Sequence, residues 1–337
     1  QTLYESRIPN PDVTWERANQ TDVGFDATLL KSKLAVTFDY FSYIRSKILW
    51  YRNASVPLST GLALPRENIG KAGNRGFDFA VNYQDQAGKF HYQLGVNGGY
   101  ARNRVIYWDE PPGAPKYQQT TGHPFPSSGL YYVAIGVFHN QAEIDKYPHW
   151  AGARPGDIIF KDVNGDGKID GNDRVRSYKN NVPRFTGGFT AQLQYGPFDL
   201  SILLQGAAGA ENYVFTESGE IGNFLESFAE GRWTPSNPDA NKPRTFNRSN
   251  EYWASQANTY FLHSTDYLRL KNLEIGYSLP AHALQRMGFQ QFRIYVSGYN
   301  LLTYSPHYRD FDPEASAGSG QSYPLQRVVN LGLNASF

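Results

Sequence analysis

The residues of this chain best suited to chemistry lie in one acidic segment, DVNGDGKIDGND, at positions 162–173. Oxygen-bearing groups recur at its first, third, fifth, seventh, ninth and twelfth positions, and Gly167 occupies the sixth. This is the ligand spacing of an EF-hand calcium loop, with Asp in place of the usual final Glu. The candidate metal ligands are Asp162, Asn164, Asp166, the backbone carbonyl of Lys168, Asp170 and Asp173.

The charge of this segment indicates a hard cation. Its carboxylates are close together in sequence and repel one another unless a cation lies between them. Ca²⁺ is favoured over Mg²⁺, because Mg²⁺ gives up its water ligands reluctantly. The alternative is a solvated Asp/Gly turn that binds no ion. We expect a bound calcium ion to be structural and to rigidify the long connection 102–182, for which we predict no core of its own.

Aromatic side chains outside the regular strands form a second set of candidates. Sugar rings stack on aromatic faces, so exposed tryptophan and tyrosine residues could line a path for a glycan. The alternative is that these rings pack inside the loops or against a partner protein. The candidate substrate-binding residues are Trp108, Tyr131, Tyr132, Trp150, Trp233, Trp253 and, with them, Tyr308.

Catalytic chemistry has little support. The histidines are scattered, and none forms a metal-ligand pair at helical spacing or a recognisable nucleophile arrangement. Asp109 and Glu110 are adjacent and point apart, whereas a glycosidase needs two carboxylates at a defined separation. The absence of cysteine excludes disulfides and thiolate metal sites. We therefore expect no catalytic residues and no enzyme.

The charge and hydropathy of the chain indicate which kinds of partner and which environment it suits. The 337 residues carry a net charge of +1 and no run of Lys or Arg, which argues against nucleic acid. No stretch approaches the roughly 18 consecutive apolar residues of a membrane helix. The mean hydropathy of −0.55 also fits a membrane β-barrel, in which only alternate residues meet lipid. The first residues lack the apolar core of a signal peptide, so an exported protein would be mature or incomplete here.

Alternation of apolar and polar residues defines the elements that carry these loops. Val329, Leu331, Leu333 and Ala335 alternate with small or polar residues as far as Phe337. The same pattern predicts roughly nine strands in all, together with a short helix at 225–233. The predicted strands cover residues 23–29, 34–40, 77–83, 90–97, 185–195, 198–204, 273–279, 292–296 and 329–337.

The connections between these strands alternate in length. Outer-membrane barrels have short periplasmic turns and long extracellular loops, which is the arrangement seen here. Short turns are predicted at 31–32, 84–88, 196–197 and 280–290. Long connections are predicted at 50–72, 102–182, 208–265 and 302–323.

The two faces of the strands also fit a membrane barrel. Aromatic residues such as Tyr40 and Phe198 lie near strand ends, as an interfacial girdle requires. A soluble sandwich or propeller is the alternative, but a soluble barrel would fill its enclosed face with apolar side chains. Arg269 and Lys271 fall in phase with the apolar face, so either they lie above the lipid or the phase slips there. The residues predicted to face a wet lumen include Asn82, Asn97, Gln192, Gln194, Asn272 and Glu274.

The predicted number of strands is odd, which bears on whether this chain can close a barrel by itself. Single-chain bacterial barrels usually have an even count, and an open sheet in lipid would leave two unpaired edges. We therefore expect this chain to pair with another polypeptide, most simply the N-terminal half of the same protein.

Several segments resemble the C-terminal half of SusC-like (RagA-type) TonB-dependent outer-membrane transporters of Bacteroidota. They occur in the family's order and span nearly the whole chain, so jointly they are specific. The segments are NPDVTWE at 10–16, NIGKAGNRGF at 68–77, GDIIFKDVNGDGKID at 156–170, PRFTGG at 183–188, DYLRLKNLEIGY at 266–277 and VSGYNL at 296–301.

The resemblance implies an all-β fold, a barrel of about 22 strands of which residues 1–337 supply about the last nine. It implies a plug domain inside the barrel, energy from TonB–ExbBD and a SusD-like lipoprotein over the extracellular mouth. Family substrates are oligosaccharides or, in some members, peptides. No plug and no TonB box is found in this sequence. The terminal Phe337 resembles the aromatic signal recognised by the outer-membrane assembly machinery, the alternative being a girdle residue.

Two functions follow as expectations. The first is import of oligosaccharides or peptides across the outer membrane of a Gram-negative bacterium, with lipid or lipopolysaccharide around the barrel. The second is a calcium-stabilised surface β-domain that binds a partner and transports nothing. Calcium is the one cofactor expected, and the identity of the substrate is left open.

Overall fold

The computed structural model describes residues 8–52, 64–125, 129–214, 225–245, 256–315, 323 and 325–337. Within them, the strands are β1 (Arg17–Leu29), β2 (Leu34–Tyr51), β3 (Arg66–Ala87), β4 (Phe90–Tyr107), β5 (Leu130–Tyr132), β6 (Ala134–Val137), β7 (Ile158–Phe160), β8 (Arg174–Arg176), β9 (Phe185–Tyr195), β10 (Phe198–Ala208), β11 (Glu211–Tyr213), β12 (Leu262–Ser264), β13 (Tyr267–Ser278), β14 (Gln291–Tyr304) and β15 (Val328–Ser336). The helices are α1 (Gln141–Lys146), α2 (Glu226–Ala229) and α3 (Ala281–Met287), with 3-10 turns at Gly171–Asp173 and Thr259–Phe261.

One antiparallel sheet organises the molecule. Its nine strands follow the chain, in the order β1-β2-β3-β4-β9-β10-β13-β14-β15. The six shorter strands lie between them in three two-stranded sheets, β5 with β8, β6 with β7 and β11 with β12. The all-β prediction and the nine alternating segments are therefore confirmed.

The apolar residues of the nine strands form one continuous face. Val36, Val81, Val96, Phe189 and Leu204 are register partners on successive strands. At the far edge, Leu331 of β15 is 78% exposed, as only a surface in contact with something apolar would be. We call this the outward face. The six predicted lumen residues alternate with it and lie on the opposite, inner face.

The strands reach further toward the long connections than alternation predicts. β2 continues to Tyr51, β3 begins at Arg66 and β4 ends at Tyr107, so both ends of the predicted connection 50–72 are strand. The pairing of β2 with β3 contains register shifts between Arg45 and Leu49. These irregularities interrupt strict alternation, which is why the pattern stops short.

A β-bulge in β13 determines which face of the sheet its basic residues occupy. Leu203 pairs with Asn272 and Leu204 with Leu270, so Lys271 is the extra residue. An extra residue in one strand exchanges the faces of the residues beyond it. Leu268 is thereby 52% exposed on the outward face, and Arg269 is fully buried on the inner face. The slip of phase is the alternative that the structure confirms.

The edges of the sheet are β1 and β15, each with a single neighbour among the described strands. The predicted helix at 225–233 is present as α2, and the turn 280–290 contains α3. No helix in the described ranges is long and apolar enough to cross a membrane.

Candidate functional site

The two longest connections fold together into one unit, which we call the loop body: the described residues of 108–184 and 209–265. Its centre is a cluster of buried apolar side chains contributed by both connections. The cluster comprises Tyr132, Phe138, Ile144, Trp150, Ile158, Phe160, Ile169 and Phe261. The expectation that the connection 102–182 has no core of its own is therefore wrong.

Short pieces of backbone hold the two connections to each other. The amide N–H of Tyr132 donates to the carbonyl of Ala257 at 3.0 Å, and that of Glu211 donates to the carbonyl of Asn180 at 2.8 Å. Asp157, which is 1% exposed, accepts from the Arg244 guanidinium at 2.7 Å. A buried ion pair of this kind is costly to break from one side, since it leaves an uncompensated charge. The loop body is thus a packed unit at one end of the sheet.

The acidic segment 162–173 is a tightly hydrogen-bonded loop within this unit. Asp162 accepts the amide N–H groups of Gly165 and Gly167 at 2.7 and 2.8 Å. Asp173 is fully buried and accepts from Val163 at 2.8 Å and from Asp170 at 2.9 Å. Gly165 and Gly167 have φ of +75° and +80°, which side chains rarely adopt, so the glycines permit the turns.

The donor chemistry of this loop suits calcium, but its oxygens are also used to fold the chain. Asp166 accepts from the Lys168 amide, and Asn164 accepts from the Asp166 amide. No group of three His, Asp or Glu side chains in the described ranges is arranged as a metal site. Carboxylate oxygens can accept hydrogen bonds and bind a cation together. The calcium ion therefore stays a prediction, with Asp162, Asp166, Asp170 and Asp173 as its charged ligands.

Two of the aromatic candidates are core residues. Tyr132 is 2% exposed and stacks on Phe160 with ring centroids 4.8 Å apart, and Trp150 is 7% exposed beside the same ring. Tyr308 is also buried, against Phe311. These rings offer no open face to a sugar, so the structure supports the packing alternative for them.

The remaining aromatic candidates have partly covered faces. Trp108 lies against Trp50 with centroids 3.9 Å apart, and Tyr131 stacks on Tyr213 at 5.8 Å. Burial raises the pKa of the Tyr131 hydroxyl. Trp233 is half-buried, and its indole N–H donates to the carbonyl of His139 at 3.2 Å. Trp253 lies outside the described residues.

Below the loop body, the inner face is polar along most of its length. At the short-turn end, an open groove of about 720 Å³ is lined mainly by polar side chains. Among them are Gln84, Gln93, Gln192, Gln194, Asp199 and Ser201. Side chains of this kind exchange hydrogen bonds with water or a polar solute at little cost, which suits a hydrated wall.

Arg293 crosses this inner face and joins three strands. Its guanidinium donates to both carboxylate oxygens of Asp199 on β10 and to Glu274 on β13. Gly276 lies between these groups, and a Cβ there would overlap the guanidinium. The close approach of Arg293 therefore favours glycine at this position, because a larger residue would displace the guanidinium.

Arg269 is a residue whose importance periodicity did not reveal. Its buried guanidinium donates to Asp312 at 2.8 and 2.7 Å, to Glu314 at 2.5 Å and to the Thr303 hydroxyl at 3.0 Å. The acceptors Asp312 and Glu314 belong to the connection after β14. This connection is thus tied to the inner side of the sheet, and the only hint in the sequence was a basic residue out of phase.

A cavity of about 290 Å³ lies between the loop body and the same connection. His263 lines it, and its Nε2 is buried without a hydrogen-bond partner in the described structure. Burial lowers the pKa of His263, and the nearby Asp310 carboxylate opposes this in part. At the far end of the molecule, the terminal Phe337 is 81% exposed and packs on Phe289 at 4.7 Å.

The chain is similar to known proteins in sequence and in fold. TonB-dependent receptor P3 of Formosa agariphila is 29% identical over 357 residues, covering 97% of this chain and 35% of that protein. TonB-dependent receptor SusC of Bacteroides thetaiotaomicron is 24% identical, covering 100% of this chain and 34% of that protein. The solved RagAB peptide importer in its open-open state has a TM-score of 0.73 at 22% identity, covering 98% and 36% of the two chains.

The chain spans about a third of the length of these curated relatives. The likeness to RagAB establishes the fold. Residues 1–301 match the family described as TonB dependent receptor-like, beta-barrel. Since this match takes in most of the chain, the protein belongs to the TonB-dependent receptor β-barrel family.

Proposed function

We propose that this chain forms part of the wall of a TonB-dependent importer in the outer membrane of a Gram-negative bacterium. Its substrate is an oligosaccharide or a peptide. The observation that carries the proposal is the nine-stranded sheet, with one apolar and one polar face and a folded loop body at one end. A wall that meets lipid on one side and a hydrated solute on the other needs this division.

In the proposed mechanism, a SusD-like lipoprotein and the loop body hold the substrate between them. The substrate then passes along the polar inner face when a plug domain moves, with energy from TonB–ExbBD. In this mechanism the complete receptor supplies the plug and the contact with TonB. RagAB, whose fold this chain resembles, is described as a peptide importer with an open-open and a closed-closed state, which supports an importer that opens and closes.

The test uses the complete receptor in its host. Strains with and without the receptor gene, and a strain without TonB, are grown on a mixture of oligosaccharides and peptides. Mass spectrometry measures which compounds leave the medium. We expect one chemical class to be depleted only when both the receptor and TonB are present, and a lipoprotein to co-purify with the receptor. Equal depletion by all three strains would refute import.

The alternative is a calcium-stabilised surface domain that binds without transporting. It predicts retention of a ligand by the purified protein but no receptor-dependent depletion from the medium. Membership of the TonB-dependent receptor family favours import over this alternative.

A further inference from the structure

The outward face of two neighbouring strands changes from aromatic to basic at the end nearest the loop body. On β4, Tyr100 is followed at alternate positions by Arg102 and Arg104. On β3, which runs the other way, the alternate positions before Phe77 are Arg75, Gly73 and Lys71. Alternate residues share a face, so the cations leave the sheet on the outward side. We call these four residues the basic patch: Lys71, Arg75, Arg102 and Arg104.

The patch begins directly above a row of aromatic residues. Tyr40, Phe77, Tyr100 and Phe185 are register partners on four successive strands. The rings of Phe77 and Tyr100 stack with centroids 5.8 Å apart. Two residues along a strand correspond to about 7 Å, so the first cations lie about one headgroup layer beyond the aromatic girdle.

Within the patch, like charges face each other without compensation. Arg75 and Arg102 are direct register partners, which places their Cβ atoms about 4.5–5.5 Å apart. Two like charges at this separation are destabilising. None of the four cations has an ion-pair or hydrogen-bond partner within the described parts of the chain. An anion held between them would convert the repulsion into attraction.

The neighbours of the patch also suit an anion. In the row of Arg75, the next positions on β2 and β1 are Ser42 and Thr21, which carry hydroxyl groups and no charge. Arg104 lies opposite Gly73, which has no side chain that could pair with the guanidinium. Arginine binds phosphate oxygens through two parallel N–H groups, and this bidentate geometry favours phosphate over a monodentate anion.

We propose that the basic patch is a binding site for the phosphate groups of an outer-leaflet lipid, whose acyl chains lie along the apolar outward face below. The proposal rests on the proposed function, since it requires that face to meet lipid. Free phosphate shares the headgroup chemistry, but it makes no use of the aromatic row beneath the cations. The lipid is therefore the occupant that the position of the patch favours.

The experiment titrates the complete, delipidated receptor in detergent with lipid A carrying two phosphates. The same lipid after phosphatase treatment serves as a second probe, and inorganic phosphate serves as a competitor. Native mass spectrometry counts bound lipid. The variant is the double substitution Arg75→Gln and Arg102→Gln. The matched control is Lys31→Gln with Lys89→Gln, which removes two exposed cations from the short turns at the other end of the sheet.

We expect phosphorylated lipid A to bind the receptor and the control alike, and the patch variant at least about tenfold more weakly. Dephosphorylated lipid A should bind all three equally weakly. Equal binding of both lipids to all three proteins would refute the lipid site at the basic patch but would not contradict the membrane barrel. Displacement of the lipid by equimolar inorganic phosphate would assign the site to free phosphate instead. A receptor that stays soluble without detergent and binds neither lipid would refute the proposed function itself. Unchanged heat-dependent gel mobility verifies the fold of each variant.

Discussion

Arg269 is the single charge whose removal should most disturb the connection after β14. The substitution Arg269→Gln would leave Asp312 and Glu314 without their buried partner. Removing one member of a buried pair costs about 3–5 kcal/mol, and the lower end applies because the carboxylates are partly exposed. We expect faster amide hydrogen exchange across 305–315, measured by mass spectrometry on the receptor in detergent.

Lys271 provides the matched control for this prediction. It lies 3.7 Å from the same Glu314 but keeps 32% of its side chain exposed. Exposed pairs contribute about 0–1 kcal/mol, so Lys271→Gln should leave the exchange nearly unchanged. Equal effects of the two substitutions would show that Arg269 does not anchor this connection.

A calcium ion in the acidic loop 162–173 would stabilise its turns. If calcium binds among Asp162, Asp166, Asp170 and Asp173, its removal by EDTA should loosen the turns around Gly165 and Gly167. We expect faster hydrogen exchange across 162–173 after EDTA, reversed by added Ca²⁺, and no change in the strands of the sheet. Asp166→Asn should weaken calcium binding, because the charge count of the ligands sets the affinity. Exchange that is indifferent to both EDTA and Ca²⁺ would leave the loop a hydrogen-bonded turn without an ion.

Histidine burial gives a pH prediction for the loop body. Burial lowers the folded-state pKa of His263, so the unfolded state binds a proton first as the pH falls. The stabilisation is present above the unfolded value, about 6.5, and is lost as the pH falls from there through the folded value. Amide exchange is intrinsically slower at low pH, so rates must be compared as protection factors, in which the intrinsic rate is divided out. We expect lower protection across 256–264 at pH 5.5 than at pH 7.5. His263→Gln should flatten this dependence, and an unchanged dependence in the variant would exclude His263 as its source.

Individual residues were predicted well where sequence spacing alone determines their surroundings. The spacing of the acidic segment predicts a sharp turn at Gly167, and the structure gives this glycine a φ of +80°, while calcium binding there stays a prediction. The aromatic residues were harder, because Tyr132 and Trp150 owe their burial to Phe160 and to a second connection far away in sequence. Arg269 could be marked only as out of phase, since its partners Asp312 and Glu314 follow more than 40 residues later.

Among the elements, β9 allows a direct test of which face meets lipid. Phe189 lies on the outward face near the middle of the strand, and Gln192 lies on the inner face. Phe189→Arg should cost about 2–4 kcal/mol near the bilayer midplane, whereas Gln192→Arg should be tolerated in a hydrated lumen. The yield of heat-modifiable barrel in the outer membrane measures both. Equal yields would argue against a lipid-facing outward side.

The elements were predictable in proportion to their length and regularity. The nine long strands are recognisable from alternation, because each has one apolar and one polar face over many residues. β5 to β8 have three or four residues each, too few for a period to register. The bulge at Lys271 and the shifts near Ile48 ended the pattern early, although the strands continue past them.

For the whole molecule, the open sheet raises the question of what covers its two edges. β1 and β15 each have one neighbour within the described residues, and the sheet is far from closing on a single chain of nine strands. An unpaired backbone group in lipid costs several kilocalories per mole, so neither edge can stand free in a membrane. The curated relatives are about three times as long as this chain, a length that has room for further strands.

We therefore expect residues 1–337 to form no stable barrel when they are produced alone and exported. Co-production with the remaining part of the receptor should restore a species that resists SDS and changes its gel mobility on heating, because β1 and β15 then gain partners. The uncut receptor is the positive control, and Leu331→Pro in the co-produced chain is the negative one. Proline removes a backbone donor and fits poorly where both neighbours are strands, so it should abolish closure at β15. A heat-modifiable barrel from residues 1–337 alone would show instead that the sheet closes on itself or on further copies.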